Sequence, residues 1–526
     1  MKTRRSRLIT VISVFILTLV IIISRLFYLY FEDSGFLQNK GKLKLITSRK
    51  ISSIRGQILD KNNNPLAVTV MQYDLYGLKG LNLSHDDLLS LNLNPENKIL
   101  NKKALLKRDI TLSEIELVKK FKNNLLEIEN TPKRYYPLSE QASPLIGFSG
   151  KDNIGLEGLE KIYQESIQGE DGEIEIHKNA HQIAIKPPIV KKESIEGKDI
   201  YLTIDRDIQF KAYKHLSAGV ISNNARGGSL IVLDNLNAEI LAVASFPSYN
   251  PNDPQRKIQR NRAFLDSFEP GSLLKPIALA IGLDKDFIDK NIKIQTSPGT
   301  LTLNGNVVHD SNNNHGELLP SGVIVKSSQV GAAKIALKIG EESLLKGYKE
   351  FGFTNNPYIS FPSISFGSVI SRNDLSDHEI ASLGYGYNIE ATALQIALAY
   401  SVIANGGIKK EFSLLKNENT GSKRIISQVN SDYVLSSLRE AVLMGTGYRA
   451  NSNKIEIAGK TGTAHKSGGK GYSQSKYTAS FASIGPLSNR KYTVIVVIDE
   501  PDPNKYFGGE VAAPIAKSLF EDLLSI

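Results

Sequence analysis

Residues 267–283 read SFEPGSLLKPIALAIGL, and the fold turns on whether Ser272 and Lys275 are a reactive pair or a coincidence. A serine is a poor nucleophile until a neighbouring base takes its proton. Lysine can be that base when burial and a nearby positive charge lower its pKa enough to leave it neutral. Residues three apart share a helix face, so S-x-x-K sets base beside nucleophile. The pattern alone is weak: SLLK recurs at Ser343 and Ser413, and SGGK and SQSK begin at Ser467 and Ser473. Context separates the first copy. Pro270-Gly271 precedes it and an apolar run follows, which predicts Ser272 at a helix N-terminus, where free N–H groups favour developing negative charge. Pro276 falls near the first turn, where no intrahelical acceptor is lost.

Two further stretches lie downstream, KSSQVGAAKIAL at 326–337 and KIEIAGKTGTAHKSGG at 454–469. The GKT of the second is not a phosphate loop. Such a loop needs a glycine five positions before its final glycine, and here that position holds Lys454. The residues that follow are also poor helix formers. The alternation in KIEIAG predicts a strand leading into Lys460-Thr461-Gly462-Thr463.

The rest of the composition narrows the chemistry. A chain of 526 residues, 41% hydrophobic and 22% charged, is globular and too long for one ordinary core. It has no cysteine, which excludes disulfides, thiolate nucleophiles and cysteine zinc sites. The net charge of +10 is scattered, without a basic run or nucleic-acid module, so nucleic acid is not expected and a basic surface near anionic lipid or polymer is. There are eight histidines but no G-x-S-x-G elbow. His177 and His181 stand four apart in a strand-like stretch lacking the H-E-x-x-H glutamate, so they read as turn residues, and no metal or cofactor is assigned.

At the N-terminus, Lys2, Arg4, Arg5 and Arg7 precede an uncharged apolar run from Leu8 to Ser24, with aromatic residues after Arg25. This predicts an uncleaved membrane anchor over 8–30, a cytoplasmic tail of 1–7, and everything beyond outside the cytoplasm. SSIRGQILDKNNNPLAV (52–68) reads as strand, turn at Asn62–Pro65, strand. NKKALLKRDITLSEIELVKKFKNN (101–124) reads as helix, with TLSE as its start. IYLTI (200–204) runs into a helix capped by Asp205 or Asp207, and GGSLIVLDNLNAEILAVASFP (227–247) reads as two strands. Strand-rich ends around a helical middle, 264–404, give an α+β or three-layer domain.

EPGSLLKP, KSSQ and AGKTGTA, in that order, resemble the S-x-x-K, S-x-N and K-[ST]-G motifs of penicillin-binding proteins and serine β-lactamases. RGQILDKNNNPLA, RYYPLSEQASPLIGFSG (134–150) and GLEGLEKIYQESIQGEDGE (155–173) resemble the N-terminal module of class B penicillin-binding proteins. LTIDRDIQ (202–209) resembles the entrance to their transpeptidase domain. LGYGYNIEATALQIALAYSVIANGG (383–407) and YFGGEVAAP (506–514) are similar to the division-type, septal branch. The resemblance implies a non-catalytic α+β module over 31–195. Over 196–526 it implies a transpeptidase domain, a helical subdomain plus an antiparallel sheet flanked by helices. It further implies a bacterial cytoplasmic-membrane D,D-transpeptidase that cross-links septal stem peptides, is inhibited by β-lactams, and works with a membrane-embedded glycan polymerase and other divisome proteins.

Carried over position by position, Ser272 would be the nucleophile, Lys275 its base and Ser327 a proton relay. Lys460 would keep the site electropositive, depress the Lys275 pKa and, with Thr461 and Thr463, hold the substrate carboxylate. The backbone N–H groups of Ser272 and Thr463 would form the oxyanion hole, and Gly462 would leave the strand open to the substrate backbone. Gln329 stands where the family has asparagine; it carries the same amide on a longer stem. A catalytically impaired divisome scaffold, and a D,D-carboxypeptidase or β-lactam-hydrolysing enzyme sharing the same motif residues, remain alternatives.

Overall fold

The computed structural model describes residues 2–31, 35, 45–93, 100, 102–121, 125–150, 152–178, 185–311, 314–355, 359, 361–370, 372, 374–418, 421–468 and 471–524. These fall into two compact units, one of residues 1–54 and 169–197, the other of 55–168 and 198–526.

In the first unit, helix α1 (Lys2–Phe31) carries the apolar run. Its segment Thr3–Phe31 is long and apolar enough to cross a membrane; about 1.5 Å per residue gives it bilayer reach. A three-stranded antiparallel sheet of Ile46–Ile51, Gly172–His177 and Ile189–Lys192 completes the unit. His177 closes one strand, its ring bonded to Glu175, whereas His181 lies outside the described residues.

The second unit begins with strands Ile58–Leu59 and Pro65–Gly77 joined through the Asn-rich turn. The Asp60 carboxylate holds that turn by accepting from the N–H groups of Asn62 and Asn64. The expected helix over 101–124 is confined to Leu112–Lys120, where Thr111 and Glu114 form a reciprocal capping box. Ala104–Lys107 is instead a strand paired with Leu75–Gly77. Four residues cannot nucleate a helix unaided, and the sheet edge supplies their partners.

Helix α2 (Arg206–Ser222) is capped by Asp205, whose side chain accepts from the N–H groups of Asp207 and Ile208. Strands β1 (Gly227–Asp234) and β2 (Glu239–Phe246) follow. The helical middle includes α3 (Lys275–Asp284), α4 (Pro320–Lys326), α5 (Gln329–Ile339) and α6 (Ala393–Ala404). After α7 (Gln428–Met444) come β3 (Ala458–Gly468), β4 (Gly471–Gly485), β5 (Tyr492–Asp499) and α8 (Ala513–Leu523).

The five strands form one antiparallel sheet in the order β2-β1-β5-β4-β3. Alternate residues of a strand face opposite sides, and here both sides are covered. Leu230, Val232, Val494 and Val496 pack with α2 and α8, while Ile231, Leu233, Ile495 and Val497 pack with α6 and the helical middle. That is the three-layer arrangement. β3 occupies the sheet edge, which leaves one side of its backbone unpaired by strand. The strand starts only at Ala458; the preceding Ile455 and Ile457 alternate because both are buried beside α8, with Ser452 holding the Lys454 N–H. Burial against helices, not pairing, produces that periodicity.

Candidate active site

Ser272 does not open the α-helix itself but sits in a 3-10 turn, Gly271–Leu274, that feeds into α3 at Lys275. Residues three apart eclipse in a 3-10 turn, so Ser272 and Lys275 project from one edge. The turn is fixed from both sides. The Gly271 N–H, on a residue with φ of +55°, donates to the Gly386 carbonyl at 3.0 Å. A Cβ on Gly386 would lie 2.0 Å from the Gly271 oxygen, so the segment after Leu383 approaches as closely as it does only as glycine.

Ser327 ends α4 in the left-handed region, φ 57° and ψ 35°. A non-glycine residue there is strained and needs surroundings that hold it. Asp310 supplies them: its carboxylate accepts from Ser328 Oγ (2.8 Å) and from the N–H groups of Gln329 (2.5 Å) and Val330 (3.0 Å), at the start of α5. Ser327 Oγ is thereby placed as a hub. It donates to Ser272 Oγ at 3.0 Å and accepts from Lys460 Nζ at 2.9 Å. Lys275 Nζ lies 3.4 Å from the same hydroxyl and donates to the Ser327 carbonyl at 2.5 Å. Among the described residues, no hydrogen bond joins Lys275 to Ser272 directly; Ser327 stands between them.

Both lysines are buried, at 1% and 0% exposure, and neither forms an ion pair among the described residues. Burial disfavours the ammonium. It pulls Lys275 down to about 7, against the opposing pull of the Asp310 carboxylate. Lys460 is held well below its ordinary range, by burial first and then by the charge of Lys275. Two ammoniums so close and so dry cannot both persist, and the pocket holds lysine near neutrality.

Gly462 faces the Ser272 turn, and Lys460 Nζ reaches the carbonyl and hydroxyl of Thr461, at 3.2 and 3.5 Å, as well as Ser327. Thr461 Oγ1 meets Thr446 Oγ1 at 2.8 Å, and Thr463 Oγ1 accepts from the Gly508 N–H at 3.0 Å. Gly462 is glycine for a packing reason. A Cβ there would lie 2.4 Å from Ser480 Oγ, 2.8 Å from Leu273 Cγ and 2.9 Å from the Pro270 oxygen. The missing side chain lets the edge strand close on the Ser272 turn. Gln329 is the first residue of α5, anchored through its backbone; its side-chain amide has no partner among the described residues.

Residues 228–521 match the penicillin-binding protein transpeptidase domain family, and 50–202 match the penicillin-binding protein dimerisation domain family. The chain belongs to the penicillin-binding protein transpeptidases. It is 31% identical to the probable peptidoglycan D,D-transpeptidase PbpC of Pseudomonas aeruginosa, over 100% of this chain and 95% of that protein. It is 30% identical to peptidoglycan D,D-transpeptidase FtsI of Escherichia coli strain K12, over 97% and 90% of the two chains. The transpeptidase domain of penicillin-binding protein 3 from Burkholderia pseudomallei superposes with a TM-score of 0.57 at 32% identity, covering 62% of this chain and 95% of that one. Penicillin-binding protein 3 of Mycobacterium tuberculosis, solved with aztreonam, shares the fold with a TM-score of 0.71 at 23% identity, covering 91% of this chain and 97% of that one.

Within this penicillin-binding protein fold, sequence reading missed three supports of the site. Asp310 precedes an Asn-rich loop and looks like surface. Thr446 and Gly508 reach β3 only through tertiary packing. Gly508 falls within the YFGGEVAAP stretch, whose place beside β3 the sequence did not show; Asp310 is seventeen positions before Ser327 in the chain, and only the fold sets it at the start of α5.

Proposed function

We propose that this chain is a membrane-anchored, serine-type peptidoglycan D,D-transpeptidase of the septal wall. Ser272 Oγ attacks the carbonyl of the penultimate D-alanine of a stem peptide, and the terminal D-alanine leaves. An amine of a second stem peptide then resolves the acyl-enzyme into a cross-link. The observation that carries this reading is the Ser327 hydroxyl, within hydrogen-bond reach of Ser272 and of two buried lysines.

A base with a pKa near the working pH transfers protons best, and Lys275 at about 7 fits. Its proton path from Ser272 runs through Ser327 Oγ, or directly once Lys275 swings off the Ser327 carbonyl; catalytic hydrogen bonds are often long before substrate arrives. An incoming peptide carboxylate raises the pKa of Lys460 by opposite charge, so Lys460 takes up the positive charge while Lys275 stays neutral. Thr461 and Thr463 complete the carboxylate contact, Gln329 offers its free amide to the peptide, and the N–H groups of Ser272 and Thr463 hold the oxyanion. A donor of that kind contributes about 3–4 kcal/mol in comparable hydrolases. The substrate backbone lies along the open edge of β3.

Residues 31–195 serve as the non-catalytic module and 196–526 as the catalytic domain. The basic residues before the apolar helix favour a cytoplasmic N-terminus in the cytoplasmic membrane, with the catalytic domain outside. A glycan polymerase and divisome proteins are the partners this location calls for, and β-lactams, as acylating mimics of the donor, its inhibitors.

Labelling with a fluorescent penicillin tests the assignment. The parent protein acquires a covalent label and Ser272→Ala does not; a label that survives the substitution refutes the nucleophile. Incubation with a stem pentapeptide and a D-amino acid acceptor yields exchange product. Hydrolysis alone at every acceptor concentration would mark a carboxypeptidase instead.

A further inference from the structure

Away from the Ser272 pocket, a cavity of about 460 Å³ opens between the segment 260–268, which runs into the nucleophile turn, the ends of β1, β3 and β5, and the middle of β4. Four cations line it: Arg226, Arg260, Arg262 and Lys466. Their ionic partners are too few. Asp266 is shared by Arg260 and Arg262, Asp499 by Arg262 and Lys466, and Glu500 by Lys466, Arg226 and Lys476. Five cations thus divide three carboxylates.

The shortfall is concentrated on Arg262. Its side chain is only 11% exposed, yet both of its ion pairs use Nη1. The Nε–H and the Nη2 hydrogens have no acceptor among the described residues, which leaves them as donors for a ligand in the cavity that Arg262 lines. A Cβ on Gly227 would lie 2.6 Å from the Phe246 carbonyl oxygen and 2.9 Å from Arg262 Cζ, so glycine there lets both the paired strand and the guanidinium approach closely.

These features point to an oxyanion ligand, carboxylate or phosphate. The volume is that of a small-molecule site, far above the roughly 30 Å³ share of a water, so the anion arrives on a larger body. Leu265 and Phe268 supply apolar wall. Lys466 lies three residues beyond Thr463 on β3, roughly 10 Å along an extended strand. A peptide paired to the open edge of β3 spans that distance in three residues. We propose that this cavity binds a carboxylate-bearing segment of the peptide substrate, with Arg262 as the principal anchor and Arg226 and Arg260 at its mouth. The inference rests on the peptide-transfer reading above.

The test uses the full chain in detergent, with an Arg226→Gln/Arg260→Gln double variant and Arg262→Gln. Substrates are a stem peptide with free side-chain carboxylates and the same peptide amidated at them. Losing charge-assisted contacts raises KM for the carboxylate peptide by about tenfold, with kcat, the amidated-peptide kinetics and penicillin acylation unchanged. Equal KM across proteins, or equal changes for both peptides, overturns the proposal. Competition by inorganic phosphate in the parent but not in the double variant, at concentrations matching the peptide, assigns the site to phosphate and overturns it too. Should Arg262→Gln fail to fold, the exposed double variant carries the test. If the parent transfers neither peptide, the transfer reading fails, and calorimetric binding of the two peptides still decides the cavity.

Discussion

Two buried charged clusters in the larger unit are built on opposite principles. In the first, Glu160 is fully buried between Arg55 and Arg134. Its Oε2 receives Arg55 at 2.7 Å and its Oε1 receives Arg134 Nε at 2.7 Å and the Tyr136 hydroxyl at 3.3 Å. Carbonyl oxygens take further guanidinium donors, those of Asn153 and Glu160 from Arg55 and that of Gly56 from Arg134. In the second, Lys275 and Lys460 share a hydroxyl and no carboxylate within ion-pair distance among the described residues. Charge that is paired on burial stays charged and fixes architecture. Charge that is left unpaired must shed its proton, and a lysine that has done so can accept another. In this chain the first device locks the segment carrying RGQILD, and the second is the one by which Ser272 is proposed to be armed.

The contrast can be broken at either end. Lys275→Arg keeps a long basic side chain but removes the neutral base, since arginine stays protonated. Acylation by penicillin should fall about 10³-fold, as loss of a general base does, with the fold intact by circular dichroism; near-parental acylation would remove Lys275 from the mechanism. Glu160→Ala leaves two guanidiniums buried without their carboxylate. Chemical denaturation should show a loss of about 3–5 kcal/mol, while acylation per folded molecule is unchanged. A stability loss below about 1 kcal/mol would show that the cluster is not structural.

Smaller effects sharpen the difference. Gln329→Asn shortens the free amide by a methylene at a position whose backbone is already fixed by Asp310. The acylation rate should change by about tenfold or less, and a larger change would make the extra methylene integral to this site. Lys275→Met replaces a buried, largely neutral amine with an apolar chain of similar length and gives up the donor to the Ser327 carbonyl. No ion pair is broken and apolar packing offsets the lost hydrogen bond, so stability should stay within about 1 kcal/mol of the parent although acylation is lost. A loss as large as that of Glu160→Ala would mean both clusters hold the fold alike.

The sequence reading reached different depths in these two places. Ser272, Lys275, Ser327 and Lys460 were legible because each sits in a short motif whose order along the chain is itself a signal, and the structure brings all four to one hydroxyl. The turn at Asn62–Pro65 and the cap at Asp205 were legible because their chemistry is local. The Arg55–Glu160–Arg134 cluster was not, since its members are distant in sequence and their partners are set by packing. Asp310 was missed for the same reason, and the intervening role of Ser327 between Ser272 and Lys275 needed coordinates. KIEIAG misled because alternation reports alternate burial, which a helix-covered loop can supply as well as a strand. Gly462 was singled out for its missing side chain, and a Cβ there would meet Leu273 and Pro270 of the Ser272 turn.

The pH dependence of acylation tests the central claim, that an unpaired buried Lys275 is neutral enough to serve as base. The rate constant for penicillin acylation should be high above neutrality and fall as pH drops through about 7, where Lys275 becomes protonated. Asp310→Asn retains a hydrogen-bond acceptor at the start of α5 but removes the carboxylate that favours the ammonium. It should move that fall to lower pH. A parental profile flat into mild acid, or one that rises only near the ordinary lysine value of 10.5, would contradict the account.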